Sequence, residues 1–239
     1  MSFYHNPRVT TDGLVIYYDA KNYKSVETGS FTWKNLASDD YDLTVRANPT
    51  FSNDGYFGRN HSWNIGDHTA LTYGSASSWA FSQWQKQRAD AVVWTAFCGD
   101  AIQGAGGAGG YFYYAPTLRY YQDYDPEGGG VYYGVMNTNP GGPFTFIPTK
   151  GEWFNITISY SGTTKSCSVM VNGDEFVEAK PVRWSPRPIV DFRFKYVGGI
   201  NASGYGFEGY IATHMVWNRE ISLEENKTNY IATKGRFGK

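Results

Sequence analysis

Leucine is scarce in this chain of 239 residues: it occurs six times. Charged residues make up 18%, and cysteine occurs only twice. Helices are built chiefly from Ala, Leu, Lys and Glu, so this shortage argues against a helical bundle or coiled coil. Two cysteines, Cys98 and Cys167, form neither a disulfide framework nor a zinc set. A pairing between them stays open if their strands are neighbours, and the default is a buried, reduced thiol at each. No apolar run is long enough for a transmembrane helix, so no membrane partner is expected. The formal net charge is −1, and the 21 Lys and Arg are dispersed, which argues against a nucleic-acid partner. The N-terminus lacks the apolar core of a secretory signal. The expectation is maturation in the cytoplasm, unless a leader has been removed.

Aromatic residues and glycine are abundant instead. There are 15 Phe, 8 Trp and 20 Tyr, with 28 Gly. Strands favour aromatic and β-branched residues, and a hydrophobic content of 41% can bury a sizeable core.

Period-two patterning recurs. Ile156, Ile158 and Tyr160 alternate with Asn155, Thr157 and Ser159, and Val190, Phe192, Phe194 and Tyr196 alternate with Asp191, Arg193 and Lys195. Each pattern predicts a strand with one face on a core and the other in water. Asn172-Gly173 lies between two apolar runs and predicts a tight hairpin, since both turn residues need positive φ. Residues 152–177 thus read as a three-stranded meander. Leu14–Tyr18 and Ala91–Phe97 read as central strands, and Tyr210–Trp217 as another. Residues 78–88 fit a short helix or a strand. Ser222-Leu-Glu-Glu225 is a capping box opening a helix that runs to about Ala232. Gly, Pro and Asn mark long loops between about residues 100 and 150. The predicted fold is all-β, a two-sheet antiparallel sandwich with a short C-terminal helix, in one domain over 1–239.

Three segments carry a family resemblance. They are Gly13–Ala20 with Trp33–Leu36, Gly151–Gly162 with Val169–Gly173, and Gly209–Ile211 with Val216–Glu225 and Asn229–Gly238. Together they resemble laminin-G-like, concanavalin A-type sandwich domains of tailed-bacteriophage virion proteins. That resemblance implies a jelly-roll sandwich and a non-enzymatic structural protein, serving in capsid decoration or at the tail. Its partners would be other virion proteins, host-surface glycans and copies of itself as a homo-oligomer. The stretch Asp100–Phe146 has no counterpart in the resemblance.

Candidate chemistry is sparse. Asp123-Tyr-Asp125-Pro-Glu127 is the densest acidic alternation. Its proline and following glycines suit a loop better than a glycosidase strand. It also resembles the start of a calcium loop, but Gly134 stands where the distal Glu should be. His5, His61, His68 and His214 show no metal-binding spacing and read as neutral surface or edge residues. No metal or cofactor is expected. Sequons occur at Asn60, Asn155, Asn201 and Asn226, the second inside a predicted strand. The feature that stands out is a tyrosine-rich span: Tyr111, Tyr113, Tyr114, Tyr120, Tyr121, Tyr124 and Tyr132. Such rings can fill a core, line a protein interface or stack on sugars. The alternative function they suggest is a carbohydrate-binding module.

Overall fold

The computed structural model describes residues 8–26, 32–44, 50–52, 55–58, 63–74, 76–91, 95–100, 109–114, 118–123, 147–181, 183–184, 187–188, 192–199 and 206–239. Two antiparallel sheets dominate. The larger one runs, edge to edge, Asp174–Pro181, Ser166–Val171, Phe154–Ser161, Trp79–Gln87, Gly209–Trp217, Gly55–Gly58 and Thr50–Ser52. Gly209–Trp217 also pairs with Leu14–Asp19, with Tyr18 opposite His214. The smaller sheet runs Leu118–Asp123, Gly109–Tyr114, Thr95–Gly99, Tyr196–Val197, Trp63–Asn64, Leu43–Thr44 and Thr32–Trp33. This is the expected jelly-roll sandwich, concanavalin A-like in architecture, with one short C-terminal helix at Leu223–Lys234.

Aromatic rings from both sheets fill the space between them. Trp79 stacks on Phe192 at 4.4 Å and on Tyr160 at 5.4 Å. Phe81 of the larger sheet meets Phe112 of the smaller one at 5.5 Å, and Trp33 meets Trp63 edge-on at 6.0 Å. Each such pair adds about 0.5–1.5 kcal/mol beyond its buried area. Rings with 150–250 Å² to bury can bridge two sheets about 10 Å apart, which accounts for a core built with so little leucine.

The meander is present as Phe154–Ser161, Ser166–Val171 and Asp174–Pro181. Asn172 and Gly173 take φ of 53° and 87° at its second turn. The capping box is formed: the Ser222 hydroxyl accepts from the Glu225 amide at 3.2 Å, and the Glu225 carboxylate accepts from the Ser222 amide at 2.8 Å. Residues 78–88 resolve as the strand Trp79–Gln87, buried along almost its whole length. Such complete burial favours a central strand over a one-sided helix.

Four expectations need correction. The alternating run from Val190 is not one strand. Phe192–Arg193 pairs with Thr72–Tyr73, whereas Tyr196–Val197 joins the smaller sheet. The break falls at Phe194-Lys195, so the buried parity shifts from Phe194 to Val197. The polar face of Phe154–Ser161 is not wet. Asn155, Thr157 and Ser159 are buried, because the C-terminal segment covers that side of the sheet: Ser159 accepts from the Ile221 amide at 3.1 Å. Ser82 joins the same polar layer, accepting from Asn155 Nδ2 at 3.0 Å and from Thr157 Oγ1 at 2.8 Å. His214 is not a surface residue but is fully buried, stacked 6.2 Å from Tyr18. Finally, strands Gly109–Tyr114 and Leu118–Asp123 occupy part of the stretch expected to be loop.

Candidate functional site

Among the described residues, a cleft of about 240 Å³ is lined by Gly66, Asp67, His68, Leu71, Thr72, Arg193, Phe194 and Lys195. The break in the 190–196 run creates it. Arg193 pairs across to Thr72, the Phe194 amide donates to Leu71 O at 3.1 Å, and the Ile65 amide donates to Lys195 O at 2.8 Å. These bonds clamp both strand ends onto the turn at 66–72, leaving the Arg193 and Lys195 side chains at its rim. Gly66 has a φ of +110°, and a Cβ there would lie 2.9 Å from His68 Nε2. Only glycine fits both that backbone and that space.

The cleft mixes charge with rings. Lys195 Nζ lies 2.8 Å from Asp67 Oδ1. Burial works against the Lys195 charge, yet hydrogen bonding to Asp67 and the field of Asp100 raise its pKa overall. Arg193 is half-buried, and its Nε has no hydrogen-bond partner among the described residues. Asp100 follows strand Thr95–Gly99 and is 1% exposed. Burial pushes its carboxyl up to about 6, against the pull of Lys195 and Arg193, and Asp67 adds to the rise. Its Oδ2 lacks a partner among the described residues. His68 Nε2 lies 3.0 Å from Ile65 O, its ring meeting Tyr41 edge-on at 4.9 Å, and Phe194 meets Tyr73 edge-on at 5.7 Å. Such a cleft offers donors, acceptors and apolar ring surface within one small space. It is below the roughly 300–1,000 Å³ of drug-sized sites and suits a single ring-sized group.

The tyrosine span sits on a different edge. Tyr111, Tyr113 and Tyr114 belong to strand Gly109–Tyr114, while Tyr120 and Tyr121 belong to the edge strand Leu118–Asp123. Tyr111 pairs with Tyr121, Phe112 with Tyr120 and Tyr113 with Arg119. Phe112 is buried in the core. Tyr111 also pairs with Gly99, which pairs with Tyr196 on its other side. The hairpin is therefore two strands from the strand that follows Lys195, with Asp100 at the junction. Tyr124 and Tyr132 lie outside the described residues, as do Asp125 and Glu127 of the calcium-like run, His5, His61, and the sequons at Asn60 and Asn201. Asn155 and Asn226, the other sequons, are buried. Cys98 and Cys167 are buried and unpaired, on different sheets, and burial pushes both thiols well up. No group of three or more His, Cys, Asp or Glu able to hold a metal occurs among the described residues.

Sequence reasoning did not point to Asp67, Asp100, Arg193 or Lys195 as a site. The last two fitted the water-facing side of an alternating strand, and Asp67 lies 128 positions from Lys195. Nothing local distinguishes a solvated face from a cleft wall.

No family model matches the chain, and no curated protein matches it in sequence. Solved structures do match in shape. Trypanosoma rangeli sialidase in complex with sialic acid superposes with a TM-score of 0.60 at 13% identity, over 95% of this chain and 34% of the sialidase. The binding domain of Paraclostridial Mosquitocidal Protein 1 gives a TM-score of 0.55 at 17% identity, over 92% of this chain and 52% of that one. The botulinum neurotoxin serotype D binding domain gives 0.60 at 11% identity, over 93% and 52%. The chain thus spans about a third of the sialidase and about half of each toxin domain. At these identities the likeness is one of fold: the chain is similar to β-sandwich domains found both in an enzyme and in toxin binding regions.

Proposed function

We propose that this chain is a non-enzymatic recognition module that binds a glycan in the cleft between residues 66–72 and 193–195. The observation that carries the reading is the cleft's balanced composition. Arg193 and Lys195 supply donors, Asp67 supplies acceptors with the buried Asp100 adding its field, and the half-buried His68 supplies ring surface. Sugars present this same alternation of hydroxyls and apolar C–H faces. The mixed charge favours a neutral sugar over an ionic one. Tyr111, Tyr113, Tyr114, Tyr120 and Tyr121, on a hairpin of the same smaller sheet, and Tyr124 and Tyr132 after it in sequence, are proposed as further glycan or partner contacts. Likeness to domains from a sialidase bound to sialic acid and from toxin binding regions supports the reading without carrying it.

The test is a glycan array followed by calorimetry. Wild type binds a defined glycan, and Arg193→Ala weakens binding at least tenfold. Hydrolysis of a polysaccharide by the purified chain, or an array without signal, would overturn the reading.

A setting follows from the resemblance at the C-terminus. The strand Gly209–Trp217, the Asn218-Arg219 turn and the capped helix are the residues on which that resemblance rests. We read the module as a virion part, on the capsid or tail, assembled in the host cytoplasm beside other virion proteins or as a homo-oligomer. Mass spectrometry of particles checks this, and consistent absence of the chain from them would end it.

A further inference from the structure

Asn172-Gly173 is the only Asn-Gly pair in the sequence. It forms the apex of the hairpin that joins Ser166–Val171 to Asp174–Pro181. In an unconstrained chain such a pair is reactive. The Gly amide nitrogen, with no side chain beside it, attacks the Asn carboxamide carbon and gives up its proton. A succinimide ring closes as ammonia leaves, and water then opens the ring to aspartate or isoaspartate. In isoaspartate the main chain runs through the former side chain and is longer by a methylene.

Ring closure needs the Gly nitrogen and the carboxamide carbon in a near-attack geometry, which the chain must be free to adopt. The fold opposes that freedom. The backbone at both residues is left-handed, with φ of 53° at Asn172 and 87° at Gly173. The Asn172 amide donates to Asn155 O at 3.0 Å, and the Asn155 amide donates to Asn172 Oδ1 at 3.0 Å. The carboxamide thereby stands in for the backbone carbonyl that the turn rotates away, and it extends the ladder that pairs Ile156 with Val171. The C-terminal helix closes the apex from outside. Gly173 is buried against Tyr230, so close that a Cβ on it would lie 2.7 Å from Cδ1 and 2.9 Å from Cγ of that ring. Tyr230 is fixed in turn by its stack on Trp84 at 5.5 Å. Rotating the Asn172–Gly173 peptide towards the carboxamide displaces Gly173, which has no room beside the ring.

We propose that Asn172 is a gated modification site: its deamidation is blocked while Tyr230 lies on the hairpin apex and proceeds when the C-terminal helix lifts off, so that the chain carries a chemical record of helix release. The helix is suited to such opening. It lays Asn226, Asn229 and Thr233 on the sheet instead of an apolar stripe. Asn226 is fully buried, yet neither polar atom of its side chain has a hydrogen-bond partner among the described residues. Elements with few buried apolar contacts open locally at less cost than global unfolding. Isoaspartate then makes the event permanent. The longer main chain does not fit the tight turn between Val171 and Asp174, and the new carboxylate arises beside Tyr230, where the charge of Asp174 already acts. Nothing in this proposal depends on the cleft.

Peptide mapping by mass spectrometry tests it, with the full chain kept at mildly alkaline pH and sampled over weeks. Deamidation is slow against opening and closing, so its rate reports the population of the open form. Native wild type deamidates at position 172 at least a hundredfold more slowly than the chain unfolded in guanidinium. Tyr230→Ala speeds the native reaction at least fivefold, and Tyr230→Phe, which keeps the ring, leaves it at the wild-type rate. Tyr230→Leu, with an expected gain of at least twofold, serves if the alanine variant unfolds. Val197→Ala destabilises the chain from the buried core of the smaller sheet. It leaves the native rate within twofold of wild type, which separates local opening from global unfolding. A native wild-type rate equal to that of the unfolded chain overturns the proposal, as does a Tyr230→Ala rate equal to wild type. So does Val197→Ala matching Tyr230→Ala at equal stability, which would make global unfolding the gate.

Discussion

Arg236 grips Asp19 with both terminal nitrogens, Nη1 to Oδ2 and Nη2 to Oδ1, each at 2.6 Å across 217 positions of sequence. Asp19 ends the first strand and is almost fully buried. The pair therefore ties that strand to the turn after the C-terminal helix, where Phe237 stacks on Trp84. The fork geometry of Arg matches a carboxylate, and lysine cannot reproduce it. Removing Arg236 leaves Asp19 with a buried charge. Partial exposure of Arg236 reduces the penalty from that of a fully buried pair, so Arg236→Ala costs about 2 kcal/mol. Arg236→Lys recovers less than half of that. Urea unfolding with an unchanged slope reads both. Equal stability of wild type and Arg236→Ala would show the pair to be ornamental.

His214 gives the fold an acid limit. Burial lowers its pKa to about 3, so the imidazole stays neutral between Tyr18 and the core. Neither ring nitrogen has a hydrogen-bond partner among the described residues. In the unfolded chain the ring protonates near pH 6.5. The unfolded state then holds the extra proton, and stability falls as pH drops from about 6.5 towards 3. The loss is on the order of 3 kcal/mol by pH 4. His214→Phe keeps a ring on Tyr18 and removes this slope. Urea midpoints at several pH values distinguish the two. A variant with the same acid slope as wild type would assign the effect elsewhere.

The parts legible in sequence are those fixed within a few residues. Asn172-Gly173 forces its own turn, and Ser222 with Glu225 closes its own cap. The sandwich follows from the density of aromatic and alternating segments. What stayed hidden depends on partners far along the chain. The helix Leu223–Lys234 buries Asn226, Asn229 and Thr233 rather than an apolar stripe. Trp84 Nε1 donates to Thr233 Oγ1 at 2.8 Å, and the Thr10 amide donates to Asn229 Oδ1 at 2.7 Å. A polar helix face over a polar sheet face carries no hydrophobic signal in either segment, so Asn155, Thr157 and Ser159 read as wet. The cleft was hidden for a similar reason, since its carboxylate and its cations come from separate, ordinary-looking segments.

Asp100 acts on stability with the opposite sign to His214. Its pKa is raised from 3.8 to about 6 by burial. The folded state holds its proton more tightly than the unfolded state, so this group favours the fold at low pH. That advantage is lost as pH rises from about 4 to 6. At pH 7 the ionised, buried carboxylate costs on the order of 2 kcal/mol. Asp100→Asn removes the charge at nearly constant shape. It therefore stabilises the fold at pH 7 and changes little at pH 4. Because the two slopes oppose each other in one window, wild type alone will not show either. Each variant must be compared with it across pH. A pH-independent difference for Asp100→Asn would mean that the shape of the side chain matters and its proton does not. Glycan binding measured on the same variant reports whether that carboxylate also serves the cleft.

Gly173 combines two constraints that one substitution can separate. Its φ of +87° belongs to the left-handed region, and a Cβ there would lie 2.7 Å from Tyr230 Cδ1. The hairpin apex thus rests directly on the helix, and Tyr230 in turn stacks on Trp84. Gly173→Ala carries backbone strain of about 1 kcal/mol. The collision adds about 1–2 kcal/mol, because Tyr230 is held by that stack and cannot yield freely. In a Tyr230→Ala background the collision disappears, and the same substitution costs only the backbone part. A double-mutant cycle by urea unfolding therefore gives a coupling energy of about 1–2 kcal/mol between positions 173 and 230. Additive costs would mean that the helix moves away from the hairpin without penalty, and that the meander and the C-terminal segment are held together by other contacts, such as Met170 against Ile221 and Leu223 and Ser159 with the Ile221 amide.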